Sequence, residues 1–280
     1  MKIFQSSCHY FKENNSKISK FSKIYKSSQV NRTIKSTDYN LSNEQINTFI
    51  NINESLIKEI CDAISRLRYI KLLNKDEIDK DTFNELHPIM RYYYSPCFTK
   101  PDGNCMFHMI SISLIGNDSL SELLRSLCIY TMMKYKNEFL KLLEFEENLQ
   151  NNNNIDSIIK KYNQLLYEAN TNKRWCNEYH LLAISTFLNS DIYIYSAFYN
   201  RNGQLNQPAN KPEQLLAIFN DGTRTGAHLL YKPISNSSIT PRNSKPIFGF
   251  FSSPRQHYIS IIPHSQESLI FKPKNSALSI

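Results

Sequence analysis

Asp102-Gly103-Asn104-Cys105-Met106-Phe107 is the stretch on which the reading of this 280-residue chain turns. Gly103 frees the backbone for a tight turn. From about Asn104 to Leu114 apolar side chains then recur at helical spacing. Cys105 therefore falls at the start of an apolar helix. Unpaired N–H groups and the positive end of the helix dipole favour a thiolate there. Both lower the thiol pKa and create a nucleophile. The same N–H groups can hold the oxyanion of an acyl-transfer intermediate. Asp102 stands where it can order this loop or reach a histidine. The bland alternative is a buried small hydrophobe, which most free cysteines are, but the turn chemistry before Cys105 is absent at the other five. Cys61, Cys128 and Cys176 sit in or beside apolar helical patterns and are expected in the core. Cys97 is expected in a loop and Cys8 in a polar tail.

A nucleophilic cysteine needs a base. His257 lies between the turn Ser252-Ser253-Pro254-Arg255-Gln256 and a strand-like run, Tyr258 to Ile262. A histidine at the mouth of a strand is held rigidly and stays exposed, as a base must be; an ordinary surface histidine fits the same pattern. His228 opens another strand-like run, but Leu229 and Leu230 suggest that it is partly core. His108 lies one turn after Cys105, beside the nucleophile's helix and not across a cleft. His180 is expected to pack within its helix, and His9, His87 and His264 to lie on the surface or in tails.

Helical patterns occupy the first half of the chain: about 41 to 67, Asp79 to Leu86, Leu120 to Leu143, Ile155 to Ala169 and Glu178 to Leu188. Tyr92-Tyr93-Tyr94 runs into Pro96 and Pro101 as an extended entry loop. Glu144 to Asn154 reads as a loop or frayed helix end. Strand candidates fill the second half: Ile192 to Tyr195, Leu215 to Phe219, His228 to Tyr231, Ile247 to Phe251 and His257 to Ile262. Asn220-Asp221-Gly222 is a turn signal between two of them. Helices first and strands second imply an α+β fold with a small, mostly antiparallel sheet packed by helices.

The apolar fraction of 41% supports a core of useful size. The formal net charge of +8 comes with lysines spread through residues 1 to 40 among Ser and Asn, which reads as a flexible basic tail. No nucleic-acid-binding signature accompanies it. None of the six cysteines forms a CxxC pair, so no metal site is expected. No secretory leader is read at Met1 to Asn15 and no apolar run has the length of a membrane span. An intracellular protein with reduced thiols, in cytoplasm or nucleus, is the expectation.

Three ordered blocks resemble the ovarian-tumour (OTU) cysteine proteases, mostly deubiquitinases. Asp102 to Phe107 resembles that family's D-G-N-C-hydrophobic-F nucleophile motif. Trp175-Cys176-Asn177-Glu178 running into Leu181-Leu182-Ala183-Ile184-Ser185 resembles its W-x-x-E-x-x-L-x-A-x-S helix. His257-Tyr258 resembles its H-Y pair, and Leu124-Arg125 its Leu-Arg pair. The resemblance implies a papain-like OTU fold over 95–265, with 1–40 a tail, 41–94 a helical extension and 266–280 a second tail. It implies catalysis without cofactor: Cys105 attacks the carbonyl after the C-terminal glycine of ubiquitin or a ubiquitin-like protein, and His257 moves the proton. N–H groups of the Asp102 to Cys105 loop would hold the oxyanion. Many members carry Asn or Asp two residues after the histidine; here that residue is Ile259, so Asp102 is the expected orienting acid. Trp175 and Glu178 are expected to pack their helix against the domain. A second reading is a ubiquitin-binding module without turnover. A third makes the basic tail a nucleic-acid-binding segment in a mobile-element or viral protein.

Overall fold

The computed structural model describes residues 43–65, 77–86, 88–149, 154–197, 226–231, 247–252 and 255–263. The two expected tails, the 215–219 strand and the 220–222 turn lie outside the described residues, as do the side chains of Cys61 and His228.

The first half is helical, as its periodicity implied. Helix α1 spans Asn43–Ser65, α2 Lys80–Glu85 and α3 Pro88–Tyr93. Asp79 caps α2 by accepting from the Thr82 N–H at 2.9 Å. The entry loop expected around the tyrosines is instead the end of α3 followed by strand β1, Tyr94–Cys97. Pro96 is compatible with β1 because that strand is a sheet edge, where a missing N–H leaves no ladder bond unmade. Four helices follow: α4 Cys105–Ile115, α5 Ser121–Lys134, α6 Lys136–Leu149 and α7 Ile155–Asn170. The single helix expected from Leu120 to Leu143 is thus two, broken at Tyr135. The acidic run after Leu143, expected as a loop or a frayed helix end, stays helical through Leu149. Its acids have partners across the packing: Lys161 of α7 pairs with Glu147 and lies 3.9 Å from Glu146, and Tyr179 donates to Glu146 at 2.9 Å. Helix α8 spans Glu178–Leu188.

The strands β2 Ile192–Ala197, β3 Gly226–Tyr231, β4 Ile247–Ser252 and β5 His257–Pro263 join β1 in one sheet of order β1-β5-β4-β2-β3. Pairing is antiparallel except between β2 and β4, which run parallel. The α+β fold with a mostly antiparallel sheet is therefore as expected.

Side-chain alternation along the strands divides the interior in two. On one face, α1, α4, α5, α7 and α8 form a large cluster that includes Ile57, Phe107, Leu124 and Ile184, with Ile194 and Ile247 from the sheet. Helix α4 lies directly on β4 and β5: a Cβ on Gly249 would stand 2.1 Å from the Met109 sulfur, so a side chain there would have to displace the ends of Met109 and Ile194. The other face carries Phe248, Phe250, Ile259 and Ile261, covered by Leu86, Met90 and Tyr94. The described part of the N-terminal segment thus packs into both cores, Ile46, Phe49, Ile57 and Ile60 of α1 in the larger one and Leu86, Met90 and Tyr94 in the smaller. The boundary expected at residue 94 falls inside β1 and corresponds to no break in packing.

His180 shows how tightly the helical core is closed. It is fully buried, its Nδ1 accepts from the Asn177 N–H at 3.0 Å, and its Nε2–H donates to the Leu165 carbonyl at 2.9 Å. Nδ1 also lies 2.8 Å from Asn177 Oδ1, and it is burial that keeps the ring neutral, holding its pKa down to about 4. The unfolded chain takes up this proton near pH 6.5 and the folded chain only near pH 4. The stabilisation is complete above pH 6.5 and is lost as pH falls to about 4, by about 3 kcal/mol. Urea denaturation from pH 7 to 4 is expected to show this loss, with a shallower fall in His180→Gln.

Candidate active site

The turn before α4 is pinned from three sides. Gly103 lies against the backbone of residues 173 and 174. A Cβ there would stand 1.7 Å from the Lys173 carbonyl oxygen, so any side chain would expel the loop. Asn104 precedes α4 without capping it. Its amide instead bridges to the same segment: Oδ1 accepts from Arg125 Nε at 2.6 Å and Lys173 N at 3.2 Å, and Nδ2 donates to Asn172 Oδ1 at 2.9 Å. Asp102 accepts from the Asn104 N–H at 2.8 Å and meets His108 Nε2 at 3.1 Å through the same oxygen. His108 Nδ1 lies 2.7 Å from Ser121 Oγ, which ties the loop to the start of α5.

Arg125 is the hub of this arrangement. It is buried, and no carboxylate among the described residues pairs with it. Its Nη2 donates to the Gly103 carbonyl at 2.7 Å and the Arg174 carbonyl at 2.5 Å. Nη1 donates to the carbonyls of Glu168 at 2.9 Å and Ala169 at 3.0 Å, at the negative end of α7. The guanidinium also stacks over Phe107, 4.7 Å from the ring centre. A lone charge in the apolar run Leu123 to Ile129 was the sequence signal for such a buried network.

Cys105, the first residue of α4, is buried. Its thiol approaches the N–H groups of Tyr258 and Met106, which favour thiolate, but burial outweighs them and pushes its pKa up to about 11. The lowered pKa expected from the helix N-terminus is therefore corrected by desolvation. Tyr258 adjoins His257, so the thiol sits beside the peptide that carries the candidate base. The structure forms no hydrogen bond between the Cys105 thiol and the His257 ring.

His257 opens β5 and is also buried, not exposed as the sequence suggested. Its Nε2 lies 2.9 Å from the Thr99 carbonyl, which can only accept, so Nε2 carries the proton. In the neutral ring Nδ1 then holds the basic lone pair, and it is buried with no hydrogen-bond partner among the described residues. Thr99 is itself fixed: its hydroxyl donates to the Cys97 carbonyl at 3.0 Å and accepts from the Ser260 N–H at 3.2 Å. Burial lowers the His257 pKa. The Thr99 contact opposes that, Arg255 adds to it, and Asp79 and Asp102 oppose it.

The orienting contact expected from Asp102 is thus made by Thr99, because the Asp102 carboxylate is taken up by Asn104 and His108. A backbone carbonyl leaves no residue signature, which is why sequence reasoning missed it. Ile259 is fully buried in the second core. Of the loop's N–H groups, Asp102 donates to Lys100 O at 2.9 Å and Cys105 to Asp102 O at 2.9 Å, while that of Asn104 is held by Asp102. The Gly103 N–H remains without an acceptor among the described residues. Trp175 and Glu178, expected to pack inward, are exposed. Cys97, expected in a loop, is buried on β1; Cys128 and Cys176 are buried as expected. The rival His228 sits on β3, three strands from β5 and therefore roughly 14 Å away across the sheet. His9, His87 and His264 lie outside the described residues. Among the described residues no cluster of acids, histidines and cysteines has the arrangement of a metal site, and no helix is long and apolar enough to cross a membrane.

Residues 100–228 match the family model of the OTU-like cysteine proteases. The match includes Asp102, Cys105 and Arg125 and stops before His257. Among solved structures, the OTUD1 OTU domain is similar at 19% identity and a TM-score of 0.38, over 60% of this chain and 85% of that one. The viral OTU domain protease from Dera Ghazi Khan virus is similar at 13% identity and a TM-score of 0.38, over 63% and 85%. The Hazara virus OTU bound to ubiquitin is similar at 13% identity and a TM-score of 0.37, over 63% and 85%. No curated protein matches the chain.

Two outcomes follow from this geometry. Alkylation of Cys105 by iodoacetamide is expected to accelerate about tenfold per pH unit from pH 7 to 10 without levelling, since the thiolate fraction grows towards a pKa of about 11. A plateau near pH 7 would contradict the buried neutral thiol. Ile259→Asn, which restores the polar residue common in the resembled family, is expected to lower unfolding free energy by about 3 kcal/mol or more. It leaves a cavity and buries an amide among Leu86, Phe250 and Ile261. Chemical denaturation measures it.

Proposed function

We propose, from the match of residues 100–228 to the family model of the OTU-like cysteine proteases, that the chain is a deubiquitinase. It hydrolyses the bond after the C-terminal glycine of ubiquitin or a ubiquitin-like protein through a thioester on Cys105. The observation that carries this reading is the His257 ring. The Thr99 carbonyl holds its Nε2–H, and that leaves a bare basic Nδ1 on the residue next to the peptide N–H that the Cys105 thiol approaches.

In the proposed reaction His257 Nδ1 takes the Cys105 proton, and the sulfur attacks the substrate carbonyl. The imidazolium then has two donors, one on Thr99 and one to give to the leaving amine. Water attacks the thioester in the second half, with His257 again as base. The N–H groups of Gly103, Met106 and Tyr258 support the charge that develops on sulfur and on the oxyanion. Asp102 acts on the loop, through Asn104 and His108, and Arg125 locks that loop from behind. Asp102 is therefore a positioning residue in this scheme.

One observation favours the second reading, a ubiquitin-binding module without turnover. The thiol and the ring are both buried and neutral, and they do not meet at rest. Catalytic contacts often tighten only on substrate binding, which is how the deubiquitinase reading accommodates that separation.

The discriminating experiment incubates the protein with ubiquitin bearing a thiol-trapping C-terminal warhead and reads the adduct by mass spectrometry. A mono-ubiquitin adduct on Cys105 is expected, absent from Cys105→Ala and slowed by about a hundredfold or more in His257→Ala. Retention of ubiquitin without any adduct would select the binding module. Neither adduct nor binding would refute both readings.

A further inference from the structure

Arg255 stands two residues before His257, in the turn that joins β4 to β5. Its side chain does not point into water alone. Nη1 lies 3.5 Å from Asp79 Oδ1, Nη2 lies 3.2 Å from Glu85 Oε1 and donates to Thr82 Oγ1 at 2.5 Å, and Nε donates to Ser252 Oγ at 3.1 Å. Asp79 is the cap of α2, and Thr82 and Glu85 belong to that helix. The arginine therefore bolts the turn carrying His257 to a helix well before the segment matched by the protease family. That helix is itself held to the sheet, because Asp79 N donates to Pro96 O at 3.0 Å and Phe98 N donates to Glu77 O at 2.8 Å. The latter bond sets the backbone one residue before Thr99, whose carbonyl holds the His257 ring.

We propose that Arg255 is a positioning residue and that its cluster with Asp79 and Glu85 fixes the turn and the charge around the His257 ring. Residues 77–98 become a working part of the site. The inference rests on His257 acting as the base of the proposed function, but its primary readout is independent of turnover. The charges facing His257 come from three directions, Asp79 from the α2 cap, Arg255 from the turn and Asp102 from the nucleophile loop; the neutral Cys105 thiol lies at the adjoining Tyr258 N–H. Glu85 acts through Arg255. A cation beside the ring opposes its protonation, and an anion favours it. Arg255 lowers the His257 pKa and Asp79 raises it, and the ion pair between them keeps both charges beside the turn.

The sign of each substitution follows. Arg255→Gln removes the cation and leaves the Asp79 anion unopposed, so the His257 midpoint moves to higher pH. Arg255→Lys keeps the charge and leaves the midpoint in place. Asp79→Asn retains the α2 cap but removes the anion, so the midpoint moves to lower pH. Asp79→Asn combined with Arg255→Gln brings it back below that of Arg255→Gln alone. The test is a ring C–H NMR titration of the full chain labelled with 13C-histidine, with His257 assigned by its loss in His257→Ala and folding checked by thermal melting. The proposal is overturned by a folded Arg255→Gln whose midpoint is unchanged or lower. If Arg255→Gln does not fold, an unchanged midpoint in folded Asp79→Asn overturns it equally. The acid limb of Cys105 labelling by the ubiquitin warhead is expected to move in the same direction as the midpoint. A wild type that titrates as described but is never labelled would sink the deubiquitinase reading and leave the electrostatic inference standing.

Discussion

A guanidinium withdrawn from water must find an acceptor for each of its donors, and Arg125 finds them in carbonyl oxygens and not in a carboxylate. This requirement organises the site. It draws the Gly103 turn to the end of α7 and the Arg174 backbone just beyond it, a stretch far along the chain. Their meeting point is so close that Gly103 admits no Cβ. Asn104 completes the junction by accepting from the same arginine and from Lys173, which costs it its role as a helix cap. The direction in which α4 presents Cys105 is thus a consequence of one buried cation and its acceptors. A substitution at Arg125 would leave several carbonyls unpaired at once, and a lysine could not replace the fork.

The sheet imposes a second constraint. Its two faces belong to different packing partners, and β5 serves both. Tyr258 turns towards the helical core and Ile259 towards the smaller one under α2 and α3. Because α3 and β1 supply Met90 and Tyr94 there, position 259 is lined with hydrocarbon and a polar side chain has no partner. The group that orients His257 comes from the backbone of the neighbouring loop instead. The N-terminal helices therefore do more than extend the fold: by covering this face they exclude an orienting side chain two residues after the histidine, and through β1 they deliver its replacement at Thr99.

Much of this was legible in the residues. The Gly-Asn-Cys turn before an apolar run placed Cys105 at a helix start, and alternation placed His257 at the head of a strand. Helix and strand order gave the α+β class. What failed to show was of a different kind. Thr99 acts through its carbonyl, which every residue possesses. The continuation of α6 past Leu143 depends on Lys161 and Tyr179, which neutralise and bond the acids from other helices. The outward placement of Trp175 and the inward placement of Ile259 are decided by which element covers them, and local pattern carries no record of that. Arg255 had a visible charge but no visible partner, since Asp79 and Glu85 lie far earlier in the chain.

Burial also reverses the simplest argument about the nucleophile. A helix N-terminus lowers a thiol pKa when the sulfur is near water and the dipole is the main influence. At Cys105 the surrounding core removes water, and desolvation exceeds the help of the neighbouring N–H groups. At pH 7 a pKa of about 11 leaves roughly one thiolate in ten thousand. The same desolvation lowers His257, so one cause pushes both groups towards their neutral forms. In the proposed reaction a neutral pair can still react, provided the proton passes to Nδ1 as the carbon–sulfur bond forms: the negative charge then appears where N–H donors are in place, and the positive charge on a ring whose Nε2–H the Thr99 carbonyl already holds. On the proposed reading such a site would be quiet towards small electrophiles and would depend on a ligand that brings the carbonyl, the sulfur and the ring into line. In that sense the burial that weakens the thiol on its own also ties its reactivity to recognition.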